Sequence, residues 1–139
     1  MIKELSINDI DRFLYLGSLI KSDFSKTNDL DKILVSSNEK IYGYYIEDEL
    51  VGFIYIVKSI DSIDIVDIVV DENNRRKGIA SLLINYVVDN NKDINKIFLE
   101  VNEHNESAIK TYKKNGFETI SVRKKYYGSD DAIVMKRDV

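Results

Sequence analysis

Seven runs of apolar and β-branched residues, each bounded by polar residues, predict seven β-strands. In chain order they are Ile2–Leu5, Ile41–Ile46, Leu50–Val57, Ile63–Val70, Lys96–Val101, Phe117–Val122 and Ala132–Met135. The polar run Glu47-Asp48-Glu49 predicts a hairpin turn between the second and third strands, and Arg123–Asp131 joins the last two. The fourth run is rich in β-branched residues, which is typical of a strand in the centre of a sheet.

Four other segments carry apolar residues at spacings of three and four, the period of an amphipathic helix. Asn8 or Asp9 can cap the first and Asn28 or Asp29 the second. The inner face of the first helix is Ile10, Phe13, Leu14 and Leu16–Gly17, and that of the second is Leu30, Ile33 and Leu34. The third helix carries Ile79, Leu82, Leu83, Tyr86 and Val87 on its inner face. The fourth begins after the cap Asn105, ends at Asn115-Gly116 and carries Ala108, Ile109 and Tyr112. The predicted order is β-α-α-β-β-β-α-β-α-β-β, an α/β (α+β) arrangement.

Composition excludes several classes of protein. The chain has 139 residues, 44% hydrophobic and 32% charged, so we expect one domain over residues 1–139 with a buried core. It has no cysteine and a single histidine, His104, so we expect no metal site. The net charge of −4 argues against nucleic acid as a partner. No apolar run approaches a membrane span and Met1 opens into a strand, so we expect a cytoplasmic protein that needs no membrane.

Charge is unevenly distributed along the chain. Between Glu47 and Glu72 there are eight acidic residues, opposed only by Lys58. Basic residues cluster instead at Arg75–Lys77 and Arg123–Lys125. An acidic middle favours a cationic partner and a basic turn favours an anionic ligand, although each of these residues singly also fits a solvated surface.

The segment from Ile68 to Ala80 joins a predicted strand to a predicted helix. Unpaired N–H groups and a partial positive charge at a helix start can hold a diphosphate. Gly78 in this turn allows the backbone a close approach to a ligand. An ordinary strand-to-helix connection has the same composition, so the turn alone leaves both interpretations open.

Two motifs together point to one family. The spacing Arg75-x-x-Gly78-x-Ala80 resembles the acyl-CoA pyrophosphate signature of the GCN5-related N-acetyltransferases (GNAT), with Ala80 in place of a second glycine. A second stretch is similar to the same family in its strand-terminal Glu100, then Asn105, Ala108-Ile109, Tyr112 and Gly116-Phe117. The resemblance implies a single-domain fold with a central mixed, mostly antiparallel sheet flanked by helices, acetyl-CoA as cosubstrate, and acetyl transfer to an amine.

The C-terminal part resembles one branch of that family. Arg123-Lys124-Lys125-Tyr126-Tyr127, followed by Asp130–Met135, is similar to the tail of the ribosomal-protein alanine N-acetyltransferases, the RimI type. In that branch the paired tyrosines border the site that receives a protein N-terminus. The resemblance therefore implies that Tyr126 and Tyr127 contact the acceptor, with a ribosomal protein as the favoured partner. Residues 1–60 match only in the order of their elements.

The resemblance also implies roles for single residues. Glu100 would be the general base and Tyr112 the acid that protonates the departing thiolate. Asp67, just before a strand end, is a rival base or a substrate contact. The implied coenzyme contacts are Ile68, Val69, Val70, Arg75, Arg76, Lys77, Gly78, Ile79, Ala80 and Asn105. Each residue also has a plainer interpretation: Glu100 as a strand-end carboxylate paired with a lysine, Asp67 as a hydrogen-bonded core-edge acid, Tyr112 as core and Asn105 as a helix cap.

Two other functions remain open at this level. The acceptor could be a small amine such as a polyamine, an amino sugar or an amino acid. The chain could instead be a non-catalytic acyl-CoA-binding module, although the joint presence of Glu100 and Tyr112 argues against it. The sequence is compatible with a monomer or a homodimer.

Overall fold

All seven predicted strands pair in one sheet in the computed structural model, which describes residues 1–139. The strands are β1 (Ile2–Glu4), β2 (Glu39–Ile46), β3 (Glu49–Lys58), β4 (Ser62–Val70), β5 (Lys96–Asn102), β6 (Glu118–Tyr127) and β7 (Asp130–Asp138). Their spatial order is β1-β2-β3-β4-β5-β7-β6. Only β4 and β5 are parallel neighbours, so the prediction of a mixed, mostly antiparallel sheet with the fourth strand at its centre is confirmed.

The helices match the predicted positions with one addition. They are α1 (Ile10–Ser18), α2 (Phe24–Thr27), α3 (Leu30–Val35), α4 (Ile79–Asp89) and α5 (Glu106–Lys114), with short 3-10 turns at Ile7–Asp9 and Glu72–Asn74. The two helices predicted before β2 are α1 and α3, and α2 between them is a single turn that is too short to show a period. α2 places the Phe24 ring against α1, so close to Gly17 that a Cβ there would lie 2.1 Å from the ring.

Two apolar layers cover the sheet. On one face α1, α2 and α3 pack against β2, β3 and the end of β4, around the rings of Phe13, Phe24 and Phe53. On the other face α4 and α5 pack against β3, β4 and β5. None of the helices combines the length and apolar character that crossing a membrane requires.

Some predicted inner-face residues lie elsewhere. On α4, Leu82 is 46% exposed and Ile84 is buried in its place, since the helix turns that side towards the sheet. Leu34 at the end of α3 is exposed, and on α5 only Tyr112 is fully buried. The helical period was therefore right, but single residues at the edges of the buried stripes were assigned to the wrong side.

The last two strands form a longer hairpin than the sequence predicts. The predicted connection Arg123–Asp131 was wrong, because β6 runs to Tyr127 and only Gly128 and Ser129 form the turn. Every residue of β6 is exposed, and its second half, Arg123–Tyr127, lacks the apolar alternation by which strands are recognised. A break in its pairing with β7 between Arg123 and Tyr127, with Lys125 at a φ of 52°, marks a bulge.

Candidate active site

A gap opens between β4 and β5. Tyr55 of β3 lies opposite Asp67 and Ile56 opposite Ile65, so Val66 is an extra residue that forms a bulge in β4. The parallel pairing of β4 with β5 ends at Ile65, although both strands continue. The gap leads into a cavity of about 890 Å³, the strand cavity, whose walls carry Asp67, Glu100 and Tyr127.

A second cavity, of about 770 Å³, lies beside the turn that follows β4. We call it the turn groove; it is lined by the end of β4, by the turn into α4 and by the first turns of α5. The lining residues common to the groove and the strand cavity are Ile20, Ile68, Asn105 and Tyr112. The two spaces therefore meet at the Tyr112 side chain.

Gly78 gives the turn groove its open backbone. Its φ of 77° lies in the left-handed region, where a side chain is strained, and no heavy atom lies within 4 Å of the position that a Cβ would take. Gly78 directly precedes the eleven-residue helix α4, whose first N–H groups face no intrahelical acceptor. This is the geometry in which a helix start binds an anion.

Polar contacts hold this turn in place. Arg12 on α1 donates from Nη2 to Asp71 Oδ2 at 2.8 Å and from Nε to the Leu50 carbonyl oxygen at 3.0 Å. The Arg12 hydrogen bond keeps the pKa of the Asp71 carboxyl below its ordinary value. Arg75 Nε donates to the Val70 carbonyl oxygen at 3.2 Å. Side chains on both sides thus anchor the strand end from which the turn begins.

Most of the predicted coenzyme contacts lie together around the turn groove. Ile68, Val69, Val70, Arg75, Arg76, Gly78, Ile79, Ala80 and Asn105 all line it. Lys77 is not among the lining residues, and its Nζ donates to Asn74 Oδ1 at 3.1 Å; its contact with the coenzyme stays a prediction. Asn105 accepts a hydrogen bond from the Ala108 N–H at 3.2 Å, so it caps α5 and also faces both cavities.

Tyr112 is the only fully buried residue of α5. Its ring packs edge-on against Phe117, with 5.9 Å between ring centroids. Burial raises the pKa of the phenol, and the charge of Asp67 raises it further. Tyr112 is therefore a protonated phenol placed where the two cavities meet.

Glu100 lies in an ion pair on the wall of the strand cavity. Arg123 on β6 donates from Nη1 to Glu100 Oε1 at 2.5 Å, and its guanidinium lies 4.3 Å from the centroid of the Tyr126 ring. The sequence predicted an ion pair for Glu100 only as the plainer interpretation and with a lysine partner. The partner is Arg123 because only β7 lies between β5 and β6, a distance that its long side chain spans.

Asp67 has a different environment. Its Oδ2 is the only buried side-chain oxygen or nitrogen in the chain that has no hydrogen-bond partner. Burial raises the pKa of this carboxyl to about 6, while the nearby charge of Lys21 acts in the opposite direction. The prediction of a hydrogen-bonded core-edge acid is therefore wrong for this oxygen.

The comparison with known families agrees with this geometry. The model of the acetyltransferase (GNAT) family matches residues 7–117. The chain belongs to this family. Within it, the chain is 28% identical over 95 residues to the ribosomal protein bS18-alanine N-acetyltransferase of Salmonella typhimurium, a match that covers 64% of each chain. The chain thus spans less than two thirds of this curated relative.

Solved structures show the same GNAT fold. Ard1 from Thermoplasma volcanium matches with a TM-score of 0.86 and 29% identity, covering 100% of this chain and 97% of that one. A GNAT acetyltransferase from Elizabethkingia anophelis, solved with acetyl-CoA bound, matches with a TM-score of 0.80 and 17% identity, covering 100% and 97%. The fold predicted from the resemblance is confirmed.

The sequence analysis missed several residues that line the site, three of them notable for their position or charge. Ile20 and Lys21, in the loop after α1, and Asp64 on β4 all line the strand cavity. Alternation along β4 could have found Asp64, which lies exposed between buried Ile63 and Ile65. Nothing local marks the loop residues, because the fold alone brings α1 over the gap.

The acidic middle of the sequence does not form one surface of this GNAT domain. Asp64 and Asp67 face the strand cavity, whereas Glu49 and Asp71 bind Arg12 at the opposite end of β3. The expectation that the whole segment meets a cationic acceptor was therefore too broad, and only two of its eight acids line the cavity.

His104, for which the sequence analysis gave no role, lies outside both cavities. Its Nε2 is 3.3 Å from Asp130 Oδ1, and Glu103 offers a carboxylate oxygen within 4.8 Å of these atoms. His104 is exposed, and the two acids already bind the Asn102 amide and the Asp131 N–H. The cluster is a surface network at the foot of the β6–β7 hairpin.

Proposed function

We propose that this protein transfers the acetyl group of acetyl-CoA to the α-amine of a protein N-terminus, by direct attack of the amine on the thioester. The observation that supports this best is the junction of two unlike cavities at Tyr112. One has the open backbone of a helix start, which suits an anion, and the other has carboxylate walls, which suit an ammonium. Acetyl-CoA is an anion and the amine is a cation until it loses its proton, so the two can react where a cavity suited to each opens into the other.

The turn groove is the part that would hold the coenzyme. Arg75, Arg76 and the N–H groups after Gly78 would bind its pyrophosphate, and the unpaired end of β4 would bind the pantetheine arm. The fold shared with a GNAT protein solved with acetyl-CoA bound supports this assignment. Ala80, in place of the second glycine of the motif, lines the groove without closing it.

Acetyl transfer needs a neutral nitrogen and a proton for the departing thiolate. Near neutral pH a free α-amine is roughly one-quarter neutral, whereas a lysine amine is neutral only about one time in a thousand. An N-terminus is thus the easier acceptor. Tyr112, protonated at the junction, is suited to protonate the sulfur, and Glu100 or Asp67 is suited to take the proton of the ammonium.

The acceptor is best explained as a protein N-terminus. Tyr126 and Tyr127 line the strand cavity with their rings 5.1 Å apart, and both are more than 40% exposed, as groups that contact an entering chain must be. The similarity to a bS18-alanine N-acetyltransferase makes a ribosomal protein the first candidate. A small polyamine is the second candidate, since Asp64, Asp67 and Glu100 together can face more than one ammonium.

The direct test is an incubation with acetyl-CoA and a panel of acceptors, followed by release of free thiol. The panel holds N-terminal peptides with alanine, serine or methionine first, the same peptides with a blocked α-amine and an internal lysine, and a polyamine, an amino sugar and an amino acid. Thiol release with the free peptides alone is expected. Turnover of the small amines alone would replace the proposal by the second candidate, and binding of acetyl-CoA without turnover would indicate a non-catalytic module.

The ribosomal assignment has its own test. Mass analysis of intact ribosomal proteins from cells with and without this gene should show one protein lighter by an acetyl group in the deletion. An unchanged set of N-termini would remove the ribosomal acceptor while leaving the peptide assay valid.

A further inference from the structure

We infer, on the basis of the proposed function, that Asp131 is a positioning residue of the acceptor site. Its carboxylate holds the bulge in β6 that turns both Tyr126 and Tyr127 towards the strand cavity. Asp131 itself lines neither cavity, so it acts through the two tyrosines and not on the reacting groups.

The two tyrosines do not follow the geometry of a regular strand. Successive side chains of such a strand point to opposite faces of the sheet. Tyr126 and Tyr127 are consecutive residues of β6, yet both line the strand cavity, and their ring centroids lie 5.1 Å apart. The backbone of β6 must therefore depart from the regular pleat just before them.

The register of the β6–β7 hairpin shows where this departure lies. The ladder pairs Arg123 with Ala132 and then Tyr127 with Asp130. Between these two pairs β6 has three residues and β7 has only one, which is Asp131. The bulge is therefore built around the single residue Asp131.

The Asp131 carboxylate holds the middle residue of the bulge, Lys125. Lys125 has a φ of 52°, in the left-handed region that residues other than glycine rarely adopt. Its N–H donates to Asp131 Oδ1 at 2.9 Å, so a side-chain oxygen takes the place of a backbone acceptor. This hydrogen bond stabilises the unusual backbone directly before the two tyrosines.

Asp131 is in turn fixed to the loop that follows β5. Its N–H donates to Glu103 Oε2 at 2.6 Å, and its carbonyl oxygen accepts a hydrogen bond from the Glu103 N–H at 3.0 Å. Glu103 directly follows the last residue of β5, the strand that carries Glu100. The bulge therefore has a fixed place relative to the wall of the strand cavity.

The ion pair of Asp131 with Lys124 plays a smaller part. Lys124 Nζ lies 3.1 Å from Asp131 Oδ2, but the lysine side chain is 81% exposed, and such pairs contribute little. The hydrogen bond from the Lys125 N–H, followed by that from Lys124, keeps the pKa of the Asp131 carboxyl below its ordinary value. Asp131 is thus a charged acceptor for the backbone N–H at neutral pH.

Asp131→Ala removes the acceptor of the Lys125 N–H, so β6 should relax towards regular alternation and turn one tyrosine away from the cavity. We expect KM for the peptide acceptor to rise about tenfold, and kcat to change less. Acetyl-CoA affinity by calorimetry should stay at the wild-type value, because neither tyrosine lines the turn groove. Asp131→Leu, similar in size and also without an acceptor, should behave in the same way.

Two further variants serve as the rescue and the control. Asp131→Asn keeps an Oδ1 acceptor for the Lys125 N–H and should retain a KM close to that of wild type. Asp138→Ala removes another acid of β7, which pairs with Lys136 at 3.3 Å and lines neither cavity, and it should match wild type.

Hydrogen exchange of the Lys125 amide, followed by NMR, reports on the proposed bond without any acceptor. A hydrogen-bonded amide exchanges only when the bond opens. Exchange should be about tenfold faster in Asp131→Ala than in wild type, and close to wild type in Asp131→Asn and Asp138→Ala.

Replacing both Tyr126 and Tyr127 by alanine tests the route of the effect. In that background Asp131→Ala should raise the peptide KM little further, because the rings through which Asp131 acts are gone. An equal rise with and without the tyrosines would overturn the inference. So would an unchanged KM in both Asp131→Ala and Asp131→Leu, or an equal rise in Asp131→Asn.

The proposed function fails separately. Wild-type protein that turns over no peptide would overturn the proposed function, whereas the exchange of the Lys125 amide would still report whether Asp131 holds the bulge. The two failures are therefore distinguishable.

Discussion

Arg123 on β6 forms an ion pair with Glu100, a carboxylate that lines the strand cavity. Nη1 of Arg123 lies 2.5 Å from Oε1 of Glu100, and the guanidinium stacks on the Tyr126 ring at 4.3 Å. The hydrogen bond to Glu100 and the charge of that carboxylate hold the pKa of Arg123 above its ordinary value, so the guanidinium stays positively charged. A positive charge from the edge strand β6 thus lies beside a carboxylate of the cavity to which we assign the acceptor.

Arg123→Gln should therefore improve binding of the acceptor. We expect KM for the peptide to fall about two- to fivefold, the size of an exposed charge interaction, with the affinity for acetyl-CoA unchanged. Lys124→Gln is the matched control, since Lys124 lies on the same strand and pairs at 3.1 Å with Asp131, which lines neither cavity. An equal change in both variants would show a general charge effect and contradict the prediction.

Tyr112→Phe should separate binding from turnover. The ring and its packing on Phe117 remain, so acetyl-CoA affinity should stay near normal, while kcat should fall about a hundredfold or more through loss of the proton donor. Rapid-quench measurement of a single turnover gives the chemical step directly. Tyr86→Phe, on α4 and packed against Tyr42 outside both cavities, should change neither quantity.

Gly78→Ala tests the open backbone of the turn groove. Both Gly78 and Gly128 have a left-handed φ, at 77° and 78°, and open space at the Cβ position. Alanine at either should cost about 1–2 kcal/mol of stability. Only Gly78→Ala should also weaken acetyl-CoA binding, by about tenfold, which is ~1.4 kcal/mol by calorimetry. If the two variants bound acetyl-CoA with equal affinity, the coenzyme would not bind in the turn groove.

Asp67 should make stability depend on pH. Its pKa of about 6 in the folded protein lies above the 3.8 of a free aspartate, so the protonated form favours folding; this stability is present below about pH 4 and is lost as the pH rises through 6. Asp67→Asn should match wild type near pH 4 and exceed it by up to about 3 kcal/mol at pH 7.5. Urea unfolding at a series of pH values measures this.

Asp61→Asn serves as the control for the unfolding series, because this exposed acid lies just before the same strand. Its difference from wild type should stay constant with pH. A constant difference for Asp67→Asn as well would mean that the buried carboxyl is not the group that titrates.

Local chemistry was enough to predict most of the fold and one half of the site. Strand alternation and helical period follow from short-range geometry, so β4, α4 and α5 could be predicted from their own residues. The motif around Gly78 was equally local, and the structure puts it beside a groove as expected. The catalytic roles of Glu100 and Tyr112 stay predictions, although both residues do line the strand cavity.

The features that depend on distant parts of the chain could not be predicted in this way. The Val66 bulge shows only against the register of β3, and the Arg123–Glu100 pair exists only because β7 lies between β5 and β6. Lys21 reaches the cavity because α1 packs across the sheet. None of these contacts can be predicted from the residues that neighbour either partner in the sequence.

The sequence by itself determined the elements, their order and the family, because these depend on residues within a turn or a strand of one another. Only the tertiary structure decided which carboxyl group is free and which is paired. That distinction depends on strand register and desolvation, since an oxygen such as Asp67 Oδ2 acquires its chemical character from the groups that surround it in space.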